Sequence, residues 1–171
     1  MTPPGAACVG EAVVALAGRR LVSLLAFRGC DAALGQALGV ALPVLARVVD
    51  FGGMRYLWAG PGAWLAMADD PARLDALFAI DAMAAVSEQG DGRCLFFVNG
   101  PQAREILARL LPIDLSESAF GPDFVAISQA GHVGVMVWRE GDGFILACYR
   151  SFAGSLHHAL NEAARAANFP I

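Results

Sequence analysis

The chain runs through one order of sequence patterns twice. In the first half a strand pattern is followed by Gly29, a short helix, a proline, strands around a Gly-Pro-Gly turn, and a helix. In the second half a strand is followed by Gly100, a helix, a proline, strands around a Gly-Asp-Gly turn, and a closing helix. The period of about 70 residues is too long for a solenoid, and apolar runs joined by glycine turns favour antiparallel pairing. We therefore predict an α+β fold of two similar halves, each an antiparallel sheet with flanking helices.

The same repeat sets the expected boundaries. Residues 1–18 are rich in Pro, Gly and Ala and are expected to form an irregular lead-in with a short strand. Residues 19–171 are expected to form a single α+β domain, made of pseudo-repeated halves at about 19–82 and 83–171. Within the first half, the β-branched content of Val44–Val49 predicts a strand.

Two local signals in the first half are typical of defined structures. The apolar runs on either side of Gly60-Pro61-Gly62 predict a β-hairpin. Asp70 followed by Pro71 predicts a helix N-cap with proline at the first helical position. The inward face of that helix is expected to carry three apolar residues, Leu74, Leu77 and Phe78.

The closing segment joins a strand directly to a helix. The apolar run at 144–148 predicts the strand, and its lack of polar alternation suggests a sheet covered on both faces; the same holds for the run at 21–27. Ser151 is the expected N-cap of an amphipathic helix of about four turns. The apolar stripe of that helix comprises Phe152, Leu156, Leu160, Ala163, Ala164 and Ala167.

The composition excludes several classes of function. All twelve basic residues are arginine, which excludes Schiff-base lysine catalysis and a P-loop lysine. The formal net charge of −4 and the scattered arginines argue against nucleic-acid binding. Hydrophobic residues make up 57% of the chain and charged residues only 16%, so burial of apolar surface by another chain is expected. The alternative is a large alanine-rich core.

The pattern of cysteines and apolar runs predicts a cytoplasmic protein. Cys8, Cys30, Cys94 and Cys148 are far apart, without a C-x-x-C pair, and are expected to be buried free thiols. No basic region precedes the apolar patch Ala12–Ala17, and no apolar run reaches the ~20 residues of a membrane span. We expect no membrane association.

The sequence contains no recognisable catalytic, cofactor-binding or metal-binding set. His157 and His158 are adjacent on a helix, so their side chains diverge by about 100° and cannot chelate one metal together. His132 has no carboxylate or cysteine at ligand spacing. The Asp69-Asp70 pair is better explained by helix capping than by acid–base chemistry, and Ser151 lacks a nucleophile elbow.

Two further features have structural interpretations. The Gly60-Pro61-Gly62 loop is not a dinucleotide-binding fingerprint, because no helix follows it directly. The tryptophans Trp58, Trp64 and Trp138 lie on predicted hairpin strands and are expected to be core or interface anchors.

Five short motifs, in order along the chain, resemble those of a known family. They are the hairpin Leu57–Leu65, the pair Val86-Ser87, the run Gly100–Leu107, the triplet Ile113-Asp114-Leu115, and the run Arg150–Leu156. Together they resemble the gamma subunit family of heterotetrameric sarcosine oxidase over most of the chain. That family is similar in fold to the folate-binding domains of aminomethyltransferases.

The resemblance implies a supporting role in a larger enzyme. It implies a complex that oxidises sarcosine to glycine, passes the methyl carbon to tetrahydrofolate or releases it as formaldehyde, and forms hydrogen peroxide. NAD and tetrahydrofolate would be held by the alpha subunit, FAD by the beta subunit and FMN between the two, with a delta subunit completing the assembly. The family's gamma subunit has no assigned cofactor or catalytic residue, so none is expected here.

The expected partner interface lies in the closing segment, at Arg150, Ser151, Phe152, His157 and His158. Where the resembled family often has Leu-Trp-His-Trp-Leu, this chain has Leu-His-His-Ala-Leu from residue 156 to residue 160. If the family's tryptophans anchor the contact, the contact of this chain must differ.

Two rival functions stay open at this point. One is a stand-alone folate-binding or one-carbon-transfer protein, for which Asp114 and Glu105 are the nearest pterin-holding carboxylates. Each has a simpler interpretation, as a cap or as a helix-surface residue; Glu105, for example, is expected to pair with Arg109 one turn on. The other is a homodimeric small-ligand sensor with ferredoxin-like halves.

Overall fold

The computed structural model describes the backbone of residues 13–16 and the whole of residues 19–167. The chain divides into two compact units, one made of residues 19–92 and the other of residues 13–16 and 93–167. Strand β1 (Val13–Leu16) lies within the expected N-terminal lead-in. The rest of that prediction lies outside the described residues.

The first unit is an antiparallel sheet with helices. Its strands are β2 (Val22–Ala26), β3 (Val48–Phe51), β4 (Met54–Gly60), β5 (Ala63–Ala68) and β6 (Ala84–Glu88), in the order β3-β4-β5-β2-β6. Its helices are α1 (Asp31–Leu38) and α2 (Pro71–Ala76), and α2 continues into a 3-10 turn, Leu77–Ile80.

The local signals of the first unit form as expected, with one exception. Strands β4 and β5 make the predicted hairpin. The Asp70 carboxylate accepts a hydrogen bond from the Ala72 amide at 3.0 Å, which satisfies a free donor of the first turn of α2. Leu74 and Leu77 are buried, but Phe78 is 42% exposed. The prediction for Phe78 was wrong because the 3-10 turn, with three residues per turn, changes which side chains share a face.

The strand expected at Val44–Val49 begins later. Leu45 and Ala46 have φ angles of 55° and 57°, in the left-handed region, where an extended strand cannot continue. The strand β3 therefore starts at Val48. β-branched content located the strand but not the turn before it.

The second unit repeats the architecture. Its strands are β1, β7 (Arg93–Val98), β8 (Val125–Ala130), β9 (Val133–Glu140) and β10 (Gly143–Tyr149), in the antiparallel order β1-β7-β10-β9-β8. Its helices are α3 (Ala103–Ala108) and α4 (Ala153–Ala167), and a 3-10 turn, Arg150–Phe152, precedes α4.

The two sheets have the same strand order if the strands are numbered from β2 in the first unit and from β7 in the second. In both units the first of these strands then lies beside the fourth, and an additional strand on its other side forms the edge of the sheet. In the first unit the edge strand is β6, which follows the helix, whereas in the second it is β1, from near the start of the chain. Because β6 pairs with β2, it belongs to the first sheet, and the first compact unit ends at Gly92. The fold is α+β, with two antiparallel sheets and flanking helices, as predicted.

The core of the second unit lies between its helices and one face of its sheet. α3 packs against α4, and α4 packs against β10. The sheet residues of this core include Phe96, Val98, Val135, Val137, Phe144, Leu146 and Cys148. Every residue of β10 from Gly143 to Cys148 is buried, so both faces of this strand are covered, as its apolar run predicts. The same expectation was wrong for β2, where Leu25 is 52% exposed.

None of the helices in the described part of the chain is long and apolar enough to cross a membrane.

Candidate functional site

The closing strand and helix are joined by the 3-10 turn at Arg150–Phe152. Tyr149 takes the capping position, with extended backbone angles of −65° and 142°, and no side chain caps this turn. Ser151 therefore lies inside the helical turn, and its prediction as the N-cap was wrong. The turn starts two residues earlier than the sequence suggests, because the chain leaves its extended conformation directly after Tyr149.

Two aromatic side chains are exposed at this junction. Tyr149 is 55% exposed and Phe152 is 47% exposed, while Arg150 and Ser151 are exposed between them. The guanidinium carbon of Arg93 lies 4.6 Å from the centroid of the Tyr149 ring, within cation–π range. Exposed aromatic side chains beside an arginine are typical of the anchors of protein–protein contacts. We define Tyr149, Arg150, Ser151 and Phe152 as the junction patch.

Phe152 was expected in the apolar stripe of the closing helix, and that assignment was wrong. The other five members of the stripe are buried, at Leu156, Leu160, Ala163, Ala164 and Ala167. Phe152 belongs to the 3-10 turn, whose tighter winding directs it to the surface.

The two histidines of α4 have different environments. The half-buried ring of His157 stacks on Phe96, and its Nε2 lies 3.2 Å from Nδ2 of Asn161. His158 is exposed. Adjacent helical positions point about 100° apart, so one histidine faces the sheet while the next faces away. Of the five predicted interface residues, Arg150, Ser151, Phe152 and His158 are exposed on one short segment, and His157 is tied to the core.

The carboxylates considered for pterin binding are engaged in local contacts. Oδ1 of Asp114 accepts a hydrogen bond from the Ser116 amide at 2.8 Å, and this bond lowers the pKa of the Asp114 carboxyl. Oε1 of Glu105 lies 2.9 Å from Nη2 of Arg109, one helical turn on, which confirms the expected pair. Both carboxylates are exposed.

Two of the three tryptophans belong to the core. Trp64 and Trp138 are buried, and Nε1 of Trp64 donates a hydrogen bond to the Pro43 carbonyl at 2.8 Å. Trp58 is half-buried.

The described cysteines are free thiols, as expected, although only one is fully buried. Cys148 is buried on β10 directly opposite Cys94, whereas Cys94 and Cys30 are half-buried. Burial first, and the neighbouring Cys94 second, raise the pKa of the Cys148 thiol to about 11. A thiol with that pKa is protonated near neutral pH, which favours a structural role for Cys148.

Metal-binding clusters are absent from the part of the chain that the structure describes: residues 19–167 contain no group of three or more His, Cys, Asp or Glu side chains that could hold an ion. His132 is exposed in the turn before β9.

One residue of the junction patch was missed from the sequence. Tyr149 directly follows the strand predicted at 144–148 and was not among the expected interface residues. The available signal was its position directly before two polar residues, where a strand leaves the sheet.

Sequence comparison identifies relatives among characterised proteins. No family model matches the chain. The sarcosine oxidase subunit gamma of Corynebacterium sp. (strain P-1) is 32% identical over 119 residues, which cover 67% of this chain and 59% of the relative. The sarcosine oxidase subunit gamma of an Arthrobacter species is 32% identical over 120 residues, covering 65% of this chain and 57% of the relative. The match thus spans less than two thirds of the length of these relatives.

Structural comparison gives a broader match. A chain of the heterotetrameric sarcosine oxidase from Corynebacterium sp. U-96, solved in complex with pyrrole 2-carboxylate, has a TM-score of 0.81 and 28% sequence identity. The match covers 93% of this chain and 86% of that chain. The glycine cleavage system aminomethyltransferase T of Bartonella henselae has a TM-score of 0.53 and 18% identity, covering 86% of this chain and 44% of that one, and it shares the fold alone.

Proposed function

This chain is related to the sarcosine oxidase gamma subunits in sequence and in fold, and from that premise we propose that it is a non-catalytic, gamma-like subunit of a heterotetrameric sarcosine oxidase. In this role it supports assembly by docking on the alpha subunit. The observation that carries the proposal is the TM-score of 0.81 to a chain of such an oxidase, over 93% of this chain. The expected fold, two antiparallel sheets with flanking helices, agrees with that assignment.

The reaction of the proposed complex follows from the same resemblance. The assembly would oxidise sarcosine to glycine with formation of hydrogen peroxide, and would transfer the methyl carbon to tetrahydrofolate or release it as formaldehyde. FAD, FMN, NAD and tetrahydrofolate would be held by the partner subunits, and the alpha, beta and delta chains would be the partners. No residue of this chain takes part in the chemistry under this proposal.

We place the contact with the alpha subunit at the junction patch and His158. Four exposed side chains there, Tyr149, Arg150, Ser151 and Phe152, combine two aromatic rings with a cation and a hydroxyl, the composition of an interface centre. His158 would lie at the rim of the contact. His157 would act indirectly, since its stacking on Phe96 fixes the first turns of α4.

The test is co-purification from a co-expression of all four subunits. A tag on this chain is expected to retain the alpha subunit and a flavin absorption spectrum. The variant Phe152→Ala is expected to reduce the retained alpha subunit at least several-fold, because truncation of an interface anchor costs about 2 kcal/mol or more of binding free energy. Replacing His157 and His158 together with aspartates is expected to weaken assembly as well, because it removes the stack on Phe96 that fixes the first turns of α4 and places negative charge at the rim of the contact.

A matched control comes from the first unit. Phe78 is 42% exposed and Phe152 is 47% exposed, so Phe78→Ala removes an equally accessible ring elsewhere. The control variant is expected to co-purify like the wild type. Equal retention by Phe152→Ala and the wild type would reject the junction patch as the contact. A tagged wild-type chain that elutes alone and colourless would reject the subunit role itself.

The same proposal sets expectations for the isolated chain. We infer a cytoplasmic protein, in keeping with the free thiols of Cys30, Cys94 and Cys148, since a reducing compartment keeps cysteines unpaired. Without its partners, the chain is expected to form a homodimer at high concentration, because exposed apolar side chains such as Leu45 and Phe51 can pack against a second copy. Cell fractionation tests the first inference, and sedimentation velocity over a concentration series tests the second.

A further inference from the structure

A cavity of about 370 Å³ lies in the second unit, at the start of α3. Segments distant in sequence line it: the loop before α3, the end of β9 and the β9–β10 turn. The volume falls within the range of sites that hold small molecules. Its charged and aromatic lining consists of Arg104, Glu117, Arg139, Asp142 and Phe144.

Arg104 forms one wall of the cavity and has partners of its own. Its Nε donates a hydrogen bond to the Leu115 carbonyl at 3.0 Å, and its Nη2 lies 3.0 Å from Oε1 of Glu117. Its guanidinium carbon lies 5.8 Å from the centroid of the buried Phe144 ring. The Arg104 charge is therefore paired with the carboxylate of Glu117.

Arg139, unlike Arg104, has no carboxylate partner among the described residues. It is directly opposite Phe144 in the β9–β10 ladder, so both side chains project from the same face of the sheet. Its Nε is buried and has no hydrogen-bond partner, and within residues 19–167 no carboxylate forms an ion pair with it. A guanidinium is always protonated, and a buried donor on a charged group costs free energy when no acceptor reaches it. The cavity is thus lined by a guanidinium whose charge no carboxylate of the described residues balances through an ion pair.

The negative charge of Asp142 weakens the attraction of the cavity for an anion. Asp142 is exposed in the β9–β10 turn and also lines the cavity, but it makes no ion pair with Arg139 in the described chain. Its negative charge opposes the entry of an anion. The affinity of the site for a single carboxylate is therefore expected in the millimolar range, the scale of a few charge-assisted hydrogen bonds.

We propose that this cavity binds the carboxylate of a small organic acid, held by Arg139. A planar guanidinium matches a carboxylate in a two-point contact, a geometry that a halide cannot form. Phe144 and the Arg104–Glu117 pair form the walls around the bound acid. This site does not depend on the proposed subunit role.

The test is a titration of the full-length chain, labelled with ¹⁵N, observed at the arginine Nε–H signals. The Arg139 signal is assigned by its loss in the variant Arg139→Gln. Sodium acetate is expected to shift that signal saturably, whereas sodium chloride at equal ionic strength is not. Arg139→Gln is expected to weaken acetate binding at least tenfold, measured by the remaining amide shifts. Arg139→Lys keeps the charge without the planar fork and is expected to lose part of that affinity.

Two further variants make the test specific. Arg109→Gln removes an exposed arginine that pairs with Glu105 outside the cavity, and it is expected to leave acetate binding unchanged. Asp142→Asn removes the opposing charge and is expected to tighten acetate binding about two- to fivefold.

Several outcomes would overturn the proposal. A linear shift of the Arg139 signal, equal for acetate and chloride, would exclude a site. Unchanged acetate binding in Arg139→Gln would show that Arg139 does not bind the carboxylate. Saturation by inorganic phosphate without saturation by acetate would exclude the carboxylate class. None of these outcomes bears on co-purification with the oxidase subunits, so the two proposals fail separately.

Discussion

The imidazole of His157 stacks on the ring of Phe96, with ring centroids 5.9 Å apart and ring planes inclined by 19°. Phe96 is a buried residue of β7, so this contact fixes the second turn of α4 to the sheet. His158, the next residue, is exposed. The two histidines are adjacent in the sequence, but His157 packs against the sheet and His158 lies on the surface.

The first prediction separates these two roles. His157→Ala is expected to lower the free energy of unfolding by about 1 kcal/mol, the scale of one aromatic pair with part of its buried area. His158→Ala is expected to change it by less than about 0.5 kcal/mol, as for other surface positions. Urea unfolding followed by circular dichroism measures both. A larger loss in the His158 variant would contradict the assignment of the two side chains.

The second prediction concerns the N-cap of α2. Asp70→Ala removes the acceptor of the Ala72 amide and is expected to cost about 1 kcal/mol of unfolding free energy. The neighbouring Asp69 is exposed and serves as a matched control, because Asp69→Ala removes the same charge without the cap. Thermal unfolding should show a lower midpoint only for the Asp70 variant. Equal midpoints for the two variants would mean that the cap does not stabilise the helix.

The third prediction is a pH dependence of stability that comes from Cys148. Its pKa is about 11 in the folded chain, against an ordinary value of 9.0. Because the folded pKa is raised, the contribution of this thiol to stability is fully present below about pH 9 and is lost as the pH rises towards 11. The unfolding free energy is therefore expected to fall over this range, and Cys148→Ala is expected to show a shallower fall.

The comparison of the two slopes is the measurement for that prediction. Urea unfolding at several pH values between 8 and about 11 gives each slope, and the difference isolates Cys148 from the other groups that titrate there. Identical slopes for the wild type and Cys148→Ala would show that the thiol does not titrate differently in the folded and unfolded states.

The fourth prediction addresses the rival function of a stand-alone folate-binding protein. Isothermal titration of the isolated chain with tetrahydrofolate is expected to give no saturable heat. The reason is that Asp114 and Glu105, the two candidate carboxylates, already bind Ser116 and Arg109. A saturable heat that disappears in Asp114→Asn would favour the rival function over the subunit role.

Elements that depend on neighbours in the sequence could be predicted. The hairpin around Gly60–Gly62, the cap at Asp70 and the Glu105–Arg109 pair all formed as expected. Each is set by backbone conformation or by a contact within a few residues, so a short stretch of sequence contains the whole cause. The five motifs that indicated the family are local in the same way.

Details of the closing segment could not be predicted with the same precision. Ser151 and Phe152 lie in a 3-10 turn that the helical spacing did not reveal, because apolar periodicity does not distinguish the first turn of an α-helix from a tighter turn before it. The exposure of Phe78 has the same cause at the end of α2. In both places the chain forms a 3-10 turn in place of the expected α-helical turn, and the side chain, Phe152 or Phe78, is therefore exposed.

By itself, the sequence determined the α+β class, the two similar halves, most of the strands and helices, and the resemblance to sarcosine oxidase gamma subunits. The tertiary structure alone decided that β6 closes the first sheet and β1 the second, that His157 packs on Phe96 while His158 is exposed, and that Arg139 lines a cavity. The physical reason is the range of the interactions. Turns and caps follow from backbone preferences of adjacent residues, whereas strand pairing, burial and the lack of an acceptor for a buried donor depend on residues that folding brings together from far apart in the chain.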